Sequence, residues 1–409
     1  LQEDVINGTI PEEEYVKKMR DLNQWNQGDI IYQKDLAETL KRIAENGRDG
    51  FYKGETADLI VNEMKSNNGL ISHTDLEEYN SVYRDPIIGN YRGYTIASMG
   101  PPSSGGPLII QMLNMLENFD ISSMKRNSTQ FVHMLTEIQR LAYADRAIHL
   151  GDPDFYPSPI PMLVSKDYAK KRLKLVSMDK ATPSEEIAAG KSIPESMETT
   201  HYSAMDSFGN TVGITTTINL SYGNKKIVDG AGFLLNNEMD DFATSPGVQN
   251  AFGLIGYEAN SIKPAKRPLS SMSPTIVLDP DGKPLMTIGA AGGSRIITTV
   301  LQVIISAVDH NLNVQDAINL GRTHSQWIPD VIRYEGKNNL IEESNKFLPS
   351  LSRKQIDELK MLNHKFEDGN VENGNYFIAR AHGIMYKNGQ FFTGVDWRGN
   401  GEISDGITY

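Results

Sequence analysis

The spacing of apolar and polar positions divides the chain into a helical first half and a strand-rich second half. Leu36, Leu40, Ile43 and Ala44 recur at three- and four-residue intervals, one face of a helix that Gly47 stops. Ala57, Leu59, Ile60 and Met64 mark a second helix. Two longer apolar-rich stretches, 108–119 and 131–148, predict a third and a fourth. Between the second and third lies a strand-like run at 94–98, closing on a Gly- and Pro-rich loop at 100–106. From Thr199 the character changes. Residues 201–206 and 211–219, the latter rich in β-branched side chains, flank the turn residues Ser207-Phe208-Gly209-Asn210 and predict a hairpin. A second hairpin, 274–278 with 285–288, turns on Asp279-Pro280-Asp281-Gly282. A glycine-rich run at 289–293 and a long helix at 294–309 follow, and a last hairpin turns at Asn388-Gly389. The two halves are joined by 188–198, small, polar and proline-containing, which reads as an exposed linker.

Composition narrows the function classes. At 409 residues the chain exceeds one average domain, and 39% hydrophobic with 22% charged residues is an ordinary globular mix. The formal charge of −12 is spread without a basic block, which argues against nucleic acid as a partner. There is no cysteine, which excludes disulfides, thiolate nucleophiles, iron–sulfur clusters and Cys-based zinc sites while leaving the compartment open. The longest apolar stretch, 296–308, is broken by Thr298, Thr299, Gln302 and Ser306 and is too short and polar to span a bilayer. Because the chain opens on Leu1 rather than Met, residue 1 is expected not to be the native start, and a signal peptide can have preceded it.

Four segments carry candidate chemistry. Thr199-Thr200-His201 opens a strand after a polar linker. A threonine hydroxyl needs an adjacent base to act as a nucleophile, and an α-amino group freed by cleavage before Thr199, with a pKa of about 8, is such a base. Two threonines opening a strand also satisfy β-propensity alone. Gly292-Gly293, between a strand and a helix, can aim two backbone N–H groups at a developing oxyanion, or simply make a tight turn. Ser270-Ser271 offers two hydroxyls to a carboxylate, though paired serines are common in loops. Residues 236–241 place two amides and three carboxylates in six positions, able to receive an ammonium group or to form a solvated turn.

Together with Glu45-Asn46-Gly47 through Phe51-Tyr52-Lys53-Gly54 and Tyr91-Arg92-Gly93-Tyr94, the strings PPSSGG at 101–106, YADR at 143–146, GDPDF at 151–155, TTHYS at 199–203, GFLLNNEMDDF at 232–242, KRPLSSMSPT at 266–275 and GGSRIITTVLQ at 292–302 occur in one order. In these the chain closely resembles the γ-glutamyltransferase (γ-glutamyl transpeptidase) family of N-terminal nucleophile hydrolases, almost end to end. The resemblance implies an α+β fold, a four-layer α/β/β/α sandwich. It implies a proenzyme that cleaves itself between Glu198 and Thr199, giving a large-subunit portion, 1–198, and a small subunit, 199–409, that form a heterodimer around one core. Thr199 matches the nucleophile, Thr217 the threonine that supports it, and Gly292 and Gly293 the oxyanion hole. Asn219, Glu238 and Asp241 match the residues that receive the glutamyl α-amino group, and Ser270 and Ser271 those that hold its α-carboxylate. The implied substrates are glutathione and other γ-glutamyl compounds, with water or an amino acid or peptide amine as acceptor. No cofactor or metal is implied, and the setting is periplasmic or secreted.

Two departures from the family pattern stand out. A long upstream segment of the family carries an arginine that pairs with the substrate α-carboxylate, and nothing here aligns with it; Arg84 belongs to a different motif. Phe252 stands in the lid, 245–260, where related bacterial enzymes have a tyrosine bonded to the asparagine matching Asn219. The loss of that bond is expected to bias the enzyme towards hydrolysis. Within the same class the alternatives are a poly-γ-glutamate hydrolase or a cephalosporin-acylase-like amidase; outside it, an unprocessed or truncated non-catalytic chain.

Overall fold

A computed structural model describes residues 30, 32–187, 199–243, 245, 247–248, 254–335, 350–367 and 377–398. Glu198 and Phe252 lie outside these residues. The chain divides into two compact units, a smaller one of 1–80 with 227–234 and a larger one of 81–226 with 235–409. Position 199 is therefore internal to the larger unit.

In the smaller unit, helices α1 (Lys34–Asn46) and α2 (Gly54–Ser66) form where the apolar spacing places them. Gly47 ends α1 with φ 58°, as expected of a residue without a Cβ. The two helices differ in what they bury. Ala57, Ile60 and Val61 of α2 are buried, but Leu40 of α1 is 56% exposed and Thr39 is the buried residue of that helix, donating to the Ala231 carbonyl at 2.9 Å.

The larger unit is built on one antiparallel sheet. In chain order its strands are β1 (Ile87–Tyr91), β2 (Tyr94–Ser98), β5 (Thr275–Leu278), β6 (Pro284–Ala291), β9 (Arg380–Lys387) and β10 (Gln390–Val395), and in space they lie in that same order. The intervening strands are β3 (Thr200–Met205) and β4 (Thr211–Thr216), which pair with each other, and the short pair β7 (Thr323–His324) and β8 (Arg333–Tyr334). Its helices include α3 (Gly105–Leu116), α4 (Thr129–His149), α5 (Arg295–Val308), α6 (Val314–Asn319) and α7 (Arg353–Met361), with two shorter ones at Ile160–Leu163 and Lys166–Leu173.

The alternation along β6 assigns the two faces of the sheet. Met286, Ile288 and Ala290 join the core with Ile109, Leu113, Ile297 and Leu301 of α3 and α5. Thr287 and Gly289 point the other way, onto the β3–β4 hairpin. A Cβ on Gly289 would stand 2.2 Å from the His201 ring, so only glycine lets the hairpin close on the sheet there. The described residues thus lay down helix, sheet and hairpin in the order that an α/β/β/α sandwich begins. Among them no helix covers the outer hairpin face, where Tyr202, Val212 and Ile214 are exposed.

The strands and helices read from the sequence in this unit are present, with shifted ends. α3 starts at Gly105 rather than 108, and β6 runs through Ala291, taking up most of the glycine-rich run. Strand β1 and helix α7 were not legible from the apolar pattern.

Candidate active site

Thr199 stands one residue before β3. The antiparallel register pairs Thr200 with Thr216, so the next pair outward is Thr199 and Thr217. The Thr199 hydroxyl donates to Thr217 Oγ1 at 3.3 Å, and the same oxygen accepts the Asn219 backbone N–H at 2.9 Å. This local turn carries Asn219 into the left-handed region at φ 72°, which asparagine tolerates better than most residues. Asn219 is buried, its Nδ2 donating to the Asn237 carbonyl at 3.2 Å, while Asn237 Oδ1 accepts the Leu220 N–H at 3.0 Å. The amides of the 236–241 cluster are thus spent on backbone groups: Asn236 Oδ1 takes the Glu238 N–H at 3.0 Å.

A pocket opens at this point, lined by Thr199, Thr217, Asn219, Asp241, Ser270, Ser271 and Gly293 together with Met272 and Ile296. Seven of the expected site residues therefore meet on one surface. Gly292 and Glu238 stand behind it. Gly292, at φ 139°, packs so closely on the residue just before β9 that a Cβ would meet the Ala379 Cβ at 2.7 Å; Gly293, at φ 55°, reaches the pocket wall. Glu238 Oε1 and Asn219 Oδ1 are buried acceptors with no protein donor, the arrangement an ammonium group completes. Burial pushes the Glu238 carboxyl up to about 7, opposed by the neighbouring Asn219 backbone N–H.

The serine pair is held from outside the pocket. Ser270 N–H donates to the Pro102 carbonyl at 2.8 Å, and the Ser270 carbonyl accepts both the Ser104 N–H at 2.9 Å and its hydroxyl at 2.8 Å. PPSSGG is therefore a clamp on the serines. YADR supports both walls: Tyr143 Oη donates to the Ser294 carbonyl at 2.5 Å, and Arg146 Nε to Ser104 Oγ at 2.9 Å. Arg146 also reaches the Leu269 carbonyl at 3.4 Å and Ser271 Oγ at 3.5 Å. Asn260 spaces the acidic segment from the serine segment, its Nδ2 donating to the Asp241 carbonyl at 2.7 Å and its Oδ1 accepting the Leu269 N–H at 3.0 Å. Arg146, Asp241 and Asn260 line a second, small cavity. Sequence reasoning gave Arg146 and Asn260 no role; a basic residue in the last turn of a helix carries no signal that sets it apart.

Among the described residues, His133, Glu137 and His364 form a buried group with the side chains of a metal site. Most of their polar atoms are already engaged, His364 Nδ1 being the exception. His133 Nδ1 lies 2.6 Å from His364 Nε2, His133 Nε2 lies 2.8 Å from the Ser177 carbonyl, and Glu137 pairs with Arg140 and accepts the Thr182 N–H. A buried guanidinium alongside disfavours a cation, and the group fits a structural tie better than a metal centre.

The chain matches the family model described as Gamma-glutamyltranspeptidase over residues 13–406. It is 50% identical over 309 residues to a glutathione hydrolase proenzyme of Escherichia coli (strain K12), across 75% of this chain and 53% of that protein. A glutathione hydrolase proenzyme of Pseudomonas sp. (strain A14) is 45% identical over 327 residues, across 80% and 56%. The chain thus spans about half the length of these relatives. The crystal structure of cephalosporin acylase from Bacillus halodurans has the same fold, with a TM-score of 0.76 at 20% identity over 99% of this chain and 69% of that one.

Proposed function

The chain belongs to the gamma-glutamyltranspeptidase family, and from that premise we propose that it is a self-cleaving γ-glutamyl acyltransferase and hydrolase acting on glutathione and related γ-glutamyl amides. The observation that carries the reading is the single pocket in which Thr199 meets Asp241, Ser270, Ser271 and Gly293.

In maturation, the Thr199 hydroxyl attacks the carbonyl of Glu198; the peptide bond gives way to an ester, and water opens the ester to leave a carboxyl at Glu198 and a free α-amino group on Thr199. In turnover that amino group takes the Thr199 hydroxyl proton as the oxygen attacks the γ-carbonyl of the donor. Thr217, whose Oγ1 accepts from Thr199, fixes the attacking oxygen. The backbone N–H groups of Gly292 and Gly293 receive the developing negative oxygen. The proton returns to the leaving amine, and the γ-glutamyl ester passes to water or to an acceptor amine. Asp241, Glu238 and Asn219 receive the donor's ammonium group, and Ser270 and Ser271 its carboxylate. Groups for both the ammonium and the carboxylate of an amino-acid head favour a free γ-glutamyl donor over an acylase side chain that lacks one.

Thr199→Ala should run as one chain on a denaturing gel and release no amine from a γ-glutamyl anilide, while the parent protein shows two chains with masses meeting at 198/199. Maturation of the variant into two chains would assign the cut to an outside protease and end this reading. No helix of the described residues is long and apolar enough to cross a membrane. Export to the periplasm or medium, which the family resemblance supports, is checked by cell fractionation.

A further inference from the structure

We propose that Arg146 is a positioning and specificity-determining residue for the donor carboxylate, acting through Ser271 and the 269–271 backbone. The inference rests on the reading above, in which Ser271 holds that carboxylate. Arg146, in the last turn of α4, is 3% exposed, yet its guanidinium makes no contact with a carboxylate among the described hydrogen bonds and ion pairs. It spends its donors on Ser104 Oγ, the Leu269 carbonyl and Ser271 Oγ. A cation is costly to bury and is retained where its field or its fork of donors is used.

Two consequences follow for the pocket. When Arg146 donates into Ser271 Oγ, one of that oxygen's two lone pairs is taken and its own hydrogen is left to donate towards the pocket it lines. The orientation suits a carboxylate and opposes a ligand donor. Arg146 also shares the inner cavity with Asp241, so a positive group lies on the serine side and a negative one on the acidic side. That pair is the electrostatic complement of a zwitterionic α-amino acid head, with its carboxylate at Ser271 and its ammonium at Asp241. Burial lowers the Arg146 guanidinium to about 10, which leaves it charged at neutral pH.

The test uses the mature protein and its Arg146→Gln and Arg146→Lys variants, with turnover of a γ-glutamyl anilide and competitive inhibition by L-glutamate and by 4-aminobutyrate. The latter keeps the amine and lacks the α-carboxylate. Arg146→Gln should raise KM and the L-glutamate inhibition constant about tenfold or more while kcat and the 4-aminobutyrate constant move less than about twofold. Arg146→Lys, which keeps the charge, should recover part of the loss. Equal weakening of both inhibitors, or a fall in kcat alone, would reduce Arg146 to a packing role and overturn the proposal. So would a parent protein that does not distinguish the two inhibitors. If the parent fails to turn over any γ-glutamyl donor, it is the functional reading that has failed; thermal melting with each ligand then reads the same carboxylate preference without turnover.

Discussion

In the proposed function Glu238 is a carboxylate that receives an ammonium group, and its protonation sets when it can do so. Its pKa, raised to about 7, means that in the free protein the anion forms only as pH rises through that value. An ammonium ligand favours the anion, so binding releases a proton, and KM for a γ-glutamyl donor should climb as pH falls below about 7, approaching tenfold per unit. Glu238→Gln should bind less tightly at pH 8 and lose this dependence; initial rates between pH 5 and 8.5 check both. Asn260, whose one amide spans Asp241 and Leu269, gives a second case at this scale. Asn260→Ala should raise KM with little change in kcat, because it loosens the spacing between ammonium and carboxylate subsites and leaves Thr199 alone. By side-chain type alone, Thr199, Ser270-Ser271, Gly292-Gly293 and the 236–241 cluster each kept an ordinary structural reading; most of the residues that touch the pocket were legible through the family resemblance, which supplied Thr217 and Asn219 and the roles of the rest. Asn260 and Arg146 were not, because a side chain that acts by holding another announces nothing about itself in one dimension.

At the scale of elements, the turn between β6 and α5 is fixed by contact with Ala379, just before β9, rather than by its own sequence. Gly292→Ala would force a Cβ to 2.7 Å from that of Ala379 at a φ of 139°, so either β9 or the turn must move. The expected cost is about 1–3 kcal/mol of stability with loss of turnover, read by melting and by rates. His201 binds the hairpin to the sheet, its ring nitrogens bonded to Thr215 and Ser203 and its face against Gly289. Burial, aided by the nearby His382, lowers its pKa from 6.5 to about 4. The unfolded chain therefore takes up this proton first. The stability it contributes is whole above pH 6.5 and is lost progressively between 6.5 and 4. His201→Gln should flatten the fall in melting temperature across that window. β3 and β4 were legible because one face alternates and the turn residues are unmistakable. β1 was missed because Ile87-Ile88-Gly89-Asn90-Tyr91 has no such rhythm; its order comes from pairing with β2. In α1 the opposite happened: the apolar spacing gave the helix correctly, yet Leu40 stays in water.

For the molecule as a whole, the sheet order matters most. β1 and β2 precede position 199, β5, β6, β9 and β10 follow it, and the seam is the ladder from Thr95–Leu278 to Ser98–Thr275. The core likewise mixes Leu113 and Leu135 with Ile297 and Leu301. After cleavage the two pieces should stay together through gel filtration and separate only in denaturant. Before the cut, folding is a first-order event whose rate ignores concentration; after it, the same sheet must be rebuilt by collision of two chains. Refolding of the cut protein should slow in proportion to dilution, while the uncleaved Thr199→Ala chain recovers at one rate at every concentration. The proposed maturation would thus act as a ratchet: it would trade a molecule that can recover from unfolding for one that works but, once lost at low concentration, stays lost.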